Sequence, residues 1–347
     1  MLKKLALSAF SILLTLLAAE AALRILGIGA AGRGSPWFAG GNHPRFLFQA
    51  DAAAGYALRP GFHGREIAKE HEFDVPIAVD ARGLREQPHP APPRPVVLAV
   101  GDSMTFGEGV PADRSYSAVL ERESGVRVEN AGVPGYSSRQ MVARLRRFLP
   151  ALRPAVVVMT LCPLWDRQRC VTPFFYRSGY IVAQTYLDRL EVIDGNLYLH
   201  ETRLPVLGPL TAHLKAHSNL LRIALPAVGN KARSLLLRPK KDPPVEAADY
   251  EPTVQAIAEA RRLTGAQGGR FLAVLIDDRG TEFTTDRLAV QERLKALGIP
   301  YVAADDLPGA DWSRLRYPKD THWNAAGHDA VGRALTPKIK ELAAARP

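Results

Sequence analysis

The feature that most restricts the fold is an alternation of short apolar runs with helical patterns. Residues Val96–Val100, Val156–Leu161 and Phe271–Ile276 carry no charge and read as buried strands, with helix-like segments between them. Strands that are buried on both faces and joined through helices form a parallel sheet covered by helices on both sides. The sequence therefore predicts an α/β fold with a doubly wound parallel sheet.

The first of these strands ends in Gly101-Asp102-Ser103, where the chain turns towards a helix. Ligands bind at the carboxyl ends of parallel strands, and a serine there can act as a nucleophile if a base reaches its hydroxyl. The same residues also suit an ordinary strand-to-helix turn capped by Asp102 or Ser103. No Gly-x-Ser-x-Gly sequence surrounds Ser103, which argues against an α/β-hydrolase.

A second polar segment, Asp320-Thr321-His322-Trp323-Asn324, precedes the last predicted helix. Asp320 and His322 are two positions apart, so both side chains can face one cleft from an extended loop. The carboxylate could then orient one imidazole nitrogen and leave the other facing Ser103, as in a serine nucleophile activated by histidine. Asn324 is predicted to cap the helix, and His328 to be a packing residue.

The N-terminus is expected to be a membrane segment. Lys3 and Lys4 precede an uncharged apolar run over residues 5–19, as in a signal peptide or a signal anchor. We expect residues 1–30 to form a single-pass anchor in the inner membrane, with the rest of the chain in the periplasm. Cleavage after Ala21 is the alternative, and it would release a secreted protein.

Composition divides the remaining chain into four parts. We expect a tether at residues 31–45, an N-terminal extension of little regular structure at 46–95, the main α/β domain at 96–347, and an insertion within it after the third strand at about 163–250. Residues 204–241 contain no Asp or Glu. They are predicted to form a lid, a surface for anionic lipid or glycan, or an ordinary solvated basic face.

Charge and cysteine content exclude several kinds of protein. The net charge of +10 allows acidic partners, but no zinc-finger spacing or RNA-binding motif accompanies it, so no nucleic-acid partner is predicted. Cys162 and Cys170 are the only cysteines, and in an exported protein they could form a disulfide or remain two buried thiols. No Cys/His cluster has metal-ligand spacing, so neither a metal nor another cofactor is predicted.

Together these motifs resemble the SGNH/GDSL hydrolase family. The resemblance covers about residues 96–161 and 250–345. The matching residues are Gly101-Asp102-Ser103 with Thr105, Phe106 and Gly107, then Asn130 and Gly135, then Asp320 and His322 with Asn324, Gly327 and His328. Gly55-Tyr56, Arg59-Pro60-Gly61 and Arg82 to Arg85 resemble the extension of membrane-anchored members.

The resemblance implies a flavodoxin-like three-layer sandwich with about five parallel strands and hydrolysis of carboxylic ester bonds. Ser103 matches the nucleophile, His322 the base and Asp320 the acid that orients it. Gly135 matches the glycine whose backbone N–H joins that of Ser103 in the oxyanion hole. The implied substrate is an ester-containing small molecule, a lipid or an acylated glycan.

The sequence departs from the family at the end of the third strand. An Asn usually stands there and donates its side-chain N–H to the oxyanion, but here the position falls on Cys162 or Pro163. Proline donates no hydrogen bond and a thiol is a weak donor. Thr160, Trp165 and Arg167 are candidates to replace the missing donor.

Three functions remain open at this stage. The first is a serine esterase that forms an acyl-enzyme on Ser103. The second keeps the same triad but acts as an O-acyltransferase or deacetylase of envelope polysaccharide, because an acyl-enzyme does not specify whether water or a sugar hydroxyl accepts the acyl group. The third, motivated by the missing Asn and the basic segment 204–241, is a non-catalytic envelope scaffold.

Overall fold

The structure is a computed structural model of the chain. It describes residues 2–26, 47–68, 72–89, 95–170, 174–177, 180–184, 188–193, 196–201, 217–221, 224, 246–277, 281–303 and 311–344.

The regular elements of these residues are, in chain order, α1 (Leu2–Ile25), β1 (Phe48–Asp51), β2 (Gly55–Leu58), β3 (His63–Ile67), β4 (Asp74–Ala78), β5 (Val96–Gly101), α2 (Ser103–Phe106), α3 (Tyr116–Ser124), β6 (Arg127–Asn130), α4 (Ser138–Leu152), β7 (Val156–Leu161), α5 (Pro163–Cys170), β8 (Phe174–Arg177), β9 (Tyr180–Gln184), β10 (Asp188–Ile193), β11 (Asn196–Glu201), α6 (Glu251–Gly265), β12 (Arg270–Leu275), α7 (Thr281–Ala296), β13 (Tyr301–Ala303) and α8 (Ala325–Ala344).

The predicted parallel sheet is confirmed. Its five strands lie in the order β13-β12-β7-β5-β6, and every neighbouring pair is parallel. Numbered along the chain this is the flavodoxin-like order 2-1-3-4-5, read from the β6 edge. The strand order reverses between β5 and β7, and such a reversal opens a crevice at the carboxyl ends of the strands.

Helices cover both faces of the sheet. Alternate residues of each strand point to opposite faces, so each strand contributes side chains to both helix layers. Leu98 and Val100 of β5 belong to the core beneath α4, α6 and α7. Val97 and Ala99 belong to the core beneath α3 and α8. This three-layer arrangement explains why the strands are apolar throughout, and it agrees with the predicted sandwich.

The N-terminal extension has more regular structure than expected. Strands β1 and β2 form one antiparallel hairpin, and β3 and β4 form another. All four residues of β2 are buried, and Phe48, Tyr56 and Leu58 join the same core as α4. The expectation of little regular structure was wrong because strands of four or five residues give too short an alternation to recognise in sequence.

The segment after β7 contains α5 and a four-stranded antiparallel sheet in the order β11-β10-β9-β8. Strands β10 and β11 form a hairpin, with Ile193 paired to Asn196. Most of residues 204–241 lie outside the described residues, so the lid stays a prediction. Cys162 is buried, but the side chain of Cys170 lies outside the described part, so the disulfide also stays a prediction.

The N-terminal apolar run forms the long helix α1. Its segment Leu7–Ile25 has a mean hydropathy of 1.6 and is not buried against the rest of the described chain. By length and composition it could cross a membrane, as either an anchor or a signal sequence. Residues 27–46, which include the predicted tether, lie outside the described residues.

Candidate active site

Ser103 lies beside the crevice, as the first residue of α2 directly after β5. Asp102 is the N-cap of that helix and its carboxylate accepts the N–H of Met104 at 3.0 Å. Gly101 is sterically required, because a Cβ there would lie 2.0 Å from Thr105 Oγ1. The turn therefore combines both interpretations of the sequence: Asp102 caps a helix, and Ser103 is presented at the crevice.

His322 joins Ser103 to Asp320. Its Nε2 lies 2.7 Å from Ser103 Oγ, and its Nδ1 lies 2.5 Å from Asp320 Oδ1. In the neutral form of the ring, Nδ1 carries the proton, because a carboxylate accepts, and Nε2 is left to accept the hydroxyl proton of Ser103. The structure thus brings together the three candidate residues, although Ser103 and His322 are 219 positions apart in the chain.

The imidazole of His322 lies among carboxylates. Burial lowers the pKa of His322, but the charges of Glu108 and Asp320 outweigh burial and, with a smaller effect of Asp102, raise the pKa to about 10. These carboxylates stabilise the imidazolium form of the ring.

The loop that carries Asp320 is held by the N-terminal extension. The Glu72 carboxylate accepts the backbone N–H of Lys319 at 3.0 Å and that of Asp320 at 2.7 Å. Within the loop, the N–H of Tyr317 donates to the carbonyl of His322 at 3.0 Å. These bonds fix the backbone on both sides of the Asp320–His322 pair.

The two other polar residues of this segment have the structural roles predicted for them. Asn324 Oδ1 accepts the N–H groups of Ala326 and Gly327 at 3.0 and 3.1 Å, as an N-cap does. His328 is fully buried, its ring stacks on Tyr116, and its Nδ1 accepts the N–H of Tyr116 at 3.1 Å. Burial lowers the pKa of His328 to about 3, so this ring stays neutral.

Gly135 lies in a tight turn next to the extension. It has φ +77° at the third position of the turn Val133–Tyr136, which is the place and the conformation that a type II turn reserves for glycine. The Tyr56 hydroxyl donates to the carbonyl of Pro134 at 2.8 Å, and the Tyr136 hydroxyl donates to the carbonyl of Tyr56. These two hydrogen bonds hold the turn that is expected to supply an oxyanion donor against the N-terminal extension.

Two of the candidates for the missing Asn are engaged elsewhere. Thr160 is fully buried, and its hydroxyl lies 2.9 Å from that of Tyr116. The Nε of Arg167 donates to the Asp286 carboxylate at 3.1 Å. Trp165 is the most exposed of the three candidates, at 36%, and stays a prediction.

Glu108, Glu72 and Glu66 belong to no motif that could be recognised in the sequence. Glu108 Oε2 lies 3.4 Å from His322 Nε2, and Glu66 Oε2 accepts the N–H of Gly109 at 2.9 Å. The only signal was the pair of glycines that flank Glu108. Glu108, Asp320 and His322 offer ligand atoms that lie close to one another. Both nitrogens of His322 are engaged, by Ser103 and by Asp320, so we interpret this group as a candidate catalytic site and not as a metal site.

Comparison with known proteins finds similar folds. No protein-family model and no curated protein matches the sequence. Similar solved structures include a lipase/acylhydrolase from Enterococcus faecalis (14% identity, TM-score 0.41, covering 72% of this chain and 96% of that one). Others are a psychrotrophic esterase from Pseudoalteromonas sp. (10%, 0.41, 72% and 98%) and a GDSL-like lipase from Bacteroides thetaiotaomicron (13%, 0.39, 74% and 92%). At these scores the functional argument rests on the geometry of this chain alone.

The contact of Glu72 with the Asp320 loop gives a testable prediction. We expect Glu72→Ala to lower kcat by about 10- to 100-fold with little change in KM, because a small displacement of a catalytic group is costly. Steady-state kinetics with an aryl ester measures this, and Glu341→Ala on the surface of α8, whose carboxylate contacts Lys338, is the control. Equal rates for the two variants would contradict a positioning role for Glu72.

Proposed function

We propose that the chain is a serine hydrolase of the SGNH/GDSL type, which cleaves carboxylic ester bonds through an acyl-enzyme on Ser103. The observation that carries this proposal is the hydrogen-bonded chain from Ser103 through His322 to Asp320 at the carboxyl edge of the sheet. A neutral imidazole oriented by a carboxylate is the group that such chemistry needs next to a serine hydroxyl.

In the first half of the reaction, Ser103 Oγ attacks the ester carbonyl while its proton passes to His322 Nε2. The carbonyl oxygen becomes an oxyanion, which accepts the backbone N–H groups of Ser103 and Gly135. As the first residue of α2, Ser103 has an N–H that no carbonyl within the helix accepts. The imidazolium then returns the proton to the leaving alcohol, and the acyl group remains on Ser103.

In the second half, water gives its proton to His322 Nε2 and attacks the acyl-enzyme. The second tetrahedral intermediate collapses, Ser103 recovers its proton and the carboxylic acid leaves. With Cys162 and Pro163 in place of the Asn, we expect a weaker oxyanion hole, since one donor is worth about 10²–10³ in rate.

Labelling with a fluorophosphonate probe tests the nucleophile. We expect the wild-type protein to be labelled and Ser103→Ala not to be labelled. Asp320→Asn should react about 10⁴-fold more slowly, because the asparagine amide holds the His322 ring in the wrong tautomer. Ser313→Ala, at an exposed serine that contacts Asp311, is the control and should label like wild type. An unlabelled wild-type protein would favour the envelope scaffold instead.

The acyl acceptor is proposed to be water, and envelope polysaccharide is the alternative. Turnover of an aryl acetate should proceed at the same rate with and without glycan acceptors. Faster turnover together with an acylated glycan, detected by mass spectrometry, would overturn hydrolysis in favour of acyl transfer.

We also propose that α1 is retained as a single-pass anchor in the inner membrane, with the catalytic domain in the periplasm. Lys3 and Lys4 fit the cytoplasmic end. Glu20 supports retention, because its carboxylate accepts the N–H groups of Asn219 and Leu220 at 3.0 and 2.9 Å. Cleavage after Ala21 would remove Glu20 and its bonds to this segment.

Retention of the anchor predicts where the protein is found. Full-length protein expressed in a Gram-negative host should stay in the membrane pellet after an alkaline wash, and its intact mass should include residues 1–30. A soluble periplasmic product whose sequence begins at Ala22 would establish a cleaved signal peptide instead.

A further inference from the structure

The described structure places an additional carboxylate against the catalytic histidine. The Glu108 side chain is buried, and its Oε2 lies 3.4 Å from His322 Nε2. The other ring nitrogen, Nδ1, is hydrogen-bonded to the Asp320 carboxylate at 2.5 Å. The imidazole therefore lies between two carboxylates, one at each nitrogen. A triad needs only the one at Nδ1 to orient the ring.

The loop that carries Glu108 is fixed by several contacts. Gly107 and Gly109 both have φ +84°, and the N–H of Glu108 donates to the carbonyl of Ser103 at 3.0 Å. The N–H of Gly109 donates to Glu66 at 2.9 Å, and its carbonyl accepts the Tyr317 hydroxyl at 2.7 Å. The position of Glu108 is therefore set by the nucleophile turn, the extension and the histidine loop together.

The packing around Gly109 leaves this loop little freedom. A Cβ at Gly109 would lie 2.8 Å from the ring of Tyr317 and 3.0 Å from that of Phe73. Arg85 donates to the carbonyl of Val110 at 3.0 Å and lies 4.3 Å above the ring of Phe106. A carboxylate in such a rigid loop is preorganised, because it need not move when charge develops on the imidazole.

We propose that Glu108 is a fourth catalytic residue, which stabilises the imidazolium of His322 from the Nε2 side. The proposal rests on the proposed function, since Nε2 is the atom that exchanges the proton with Ser103. When the ring is neutral, Nε2 accepts from the Ser103 hydroxyl at 2.7 Å. When the proton moves to Nε2, the new N–H bears positive charge 3.4 Å from the Glu108 carboxylate.

A second carboxylate also sets the pH range of the reaction. Only the neutral imidazole can accept the serine proton, so a raised pKa of His322 moves the acid limb of the rate profile to higher pH. Burial lowers this pKa, but Glu108 and Asp320 outweigh it. Asp102 also acts on the His322 ring, and His328 responds to the charges of His322 and Arg85. Glu66 and Glu72 act on Tyr317, in the loop that carries Asp320.

The experiment compares wild type with Glu108→Gln, which keeps the shape and removes the charge. We expect the acid limb of kcat/KM for an aryl acetate to lie well above the ordinary histidine value in wild type. In the variant, the limb should move down by about one to three pH units, which is the range for a charge at this distance. The plateau rate should fall, because the imidazolium loses one of its carboxylates.

An activity-independent measurement accompanies the kinetics. Titration of the His322 imidazole by ¹⁵N NMR, assigned with His322→Asn, should show the same downward pKa shift in Glu108→Gln. Glu129→Gln is the matched control: this carboxylate is equally buried but contacts Arg82 and Arg127, so it should leave the pKa of His322 unchanged.

The outcomes separate the two proposals. An unchanged His322 pKa and an unchanged acid limb in Glu108→Gln would overturn the role of Glu108, even if the protein were less stable. Absence of esterase activity in wild type would overturn the proposed function, while the NMR titration would still decide whether Glu108 acts on His322. If Glu108→Gln does not fold, Glu108→Asp, with its charge one methylene further from Nε2, should give a smaller downward shift, and no shift would overturn the proposal.

Discussion

The hydrogen bond between Ser103 Oγ and His322 Nε2 is the interaction on which the candidate site depends. It joins residues 219 positions apart to within 2.7 Å, and a hydrogen bond tolerates only a few tenths of an ångström of error. The sheet fixes the position of Ser103, because β5 is buried on both faces and Ser103 follows directly at its carboxyl end. The loop that carries His322 must also be held in place, and α8 holds only the C-terminal end of that loop.

The N-terminal extension supplies the rest of that precision. Its side chains contact each of the three loops at the crevice: Tyr56 bonds to Pro134, Glu66 to Gly109 and Glu72 to Asp320. These bonds are buried or partly buried, where an unmade hydrogen bond costs about 1–3 kcal/mol. The extension is thus part of the active-site framework, although it lies outside the parallel sheet.

The local charge of the site is opposite to that of the whole chain. The net charge is +10, yet Asp102, Glu108 and Asp320 all act on His322 with negative charge. Like charges that share a partly buried site repel each other, and a cation among them relieves that repulsion. The imidazolium is such a cation, so the same carboxylates that raise the pKa of His322 are stabilised when the ring is protonated.

Features that depend on neighbours along the chain could be predicted from the sequence alone. Apolar runs such as Val156–Leu161 identified the buried strands, and their alternation with helices identified the parallel sheet. The two-residue spacing of Asp320 and His322 and the N-cap position of Asn324 are likewise local, so the triad could be selected together with its structural neighbours.

Only the tertiary structure decided which distant groups surround the triad. Glu72 contacts Asp320 across 248 positions, and Glu108 meets His322 from a loop that has no motif beyond its flanking glycines. The hairpins of the extension were missed for the same reason, since their short strands are stabilised by burial against the rest of the described chain and not by their own pattern. Sequence determined the elements through local periodicity, and it selected Ser103, His322 and Asp320 as candidates through their spacing and the family resemblance. The electrostatic environment of His322 depends on through-space distances, which only the packed chain defines.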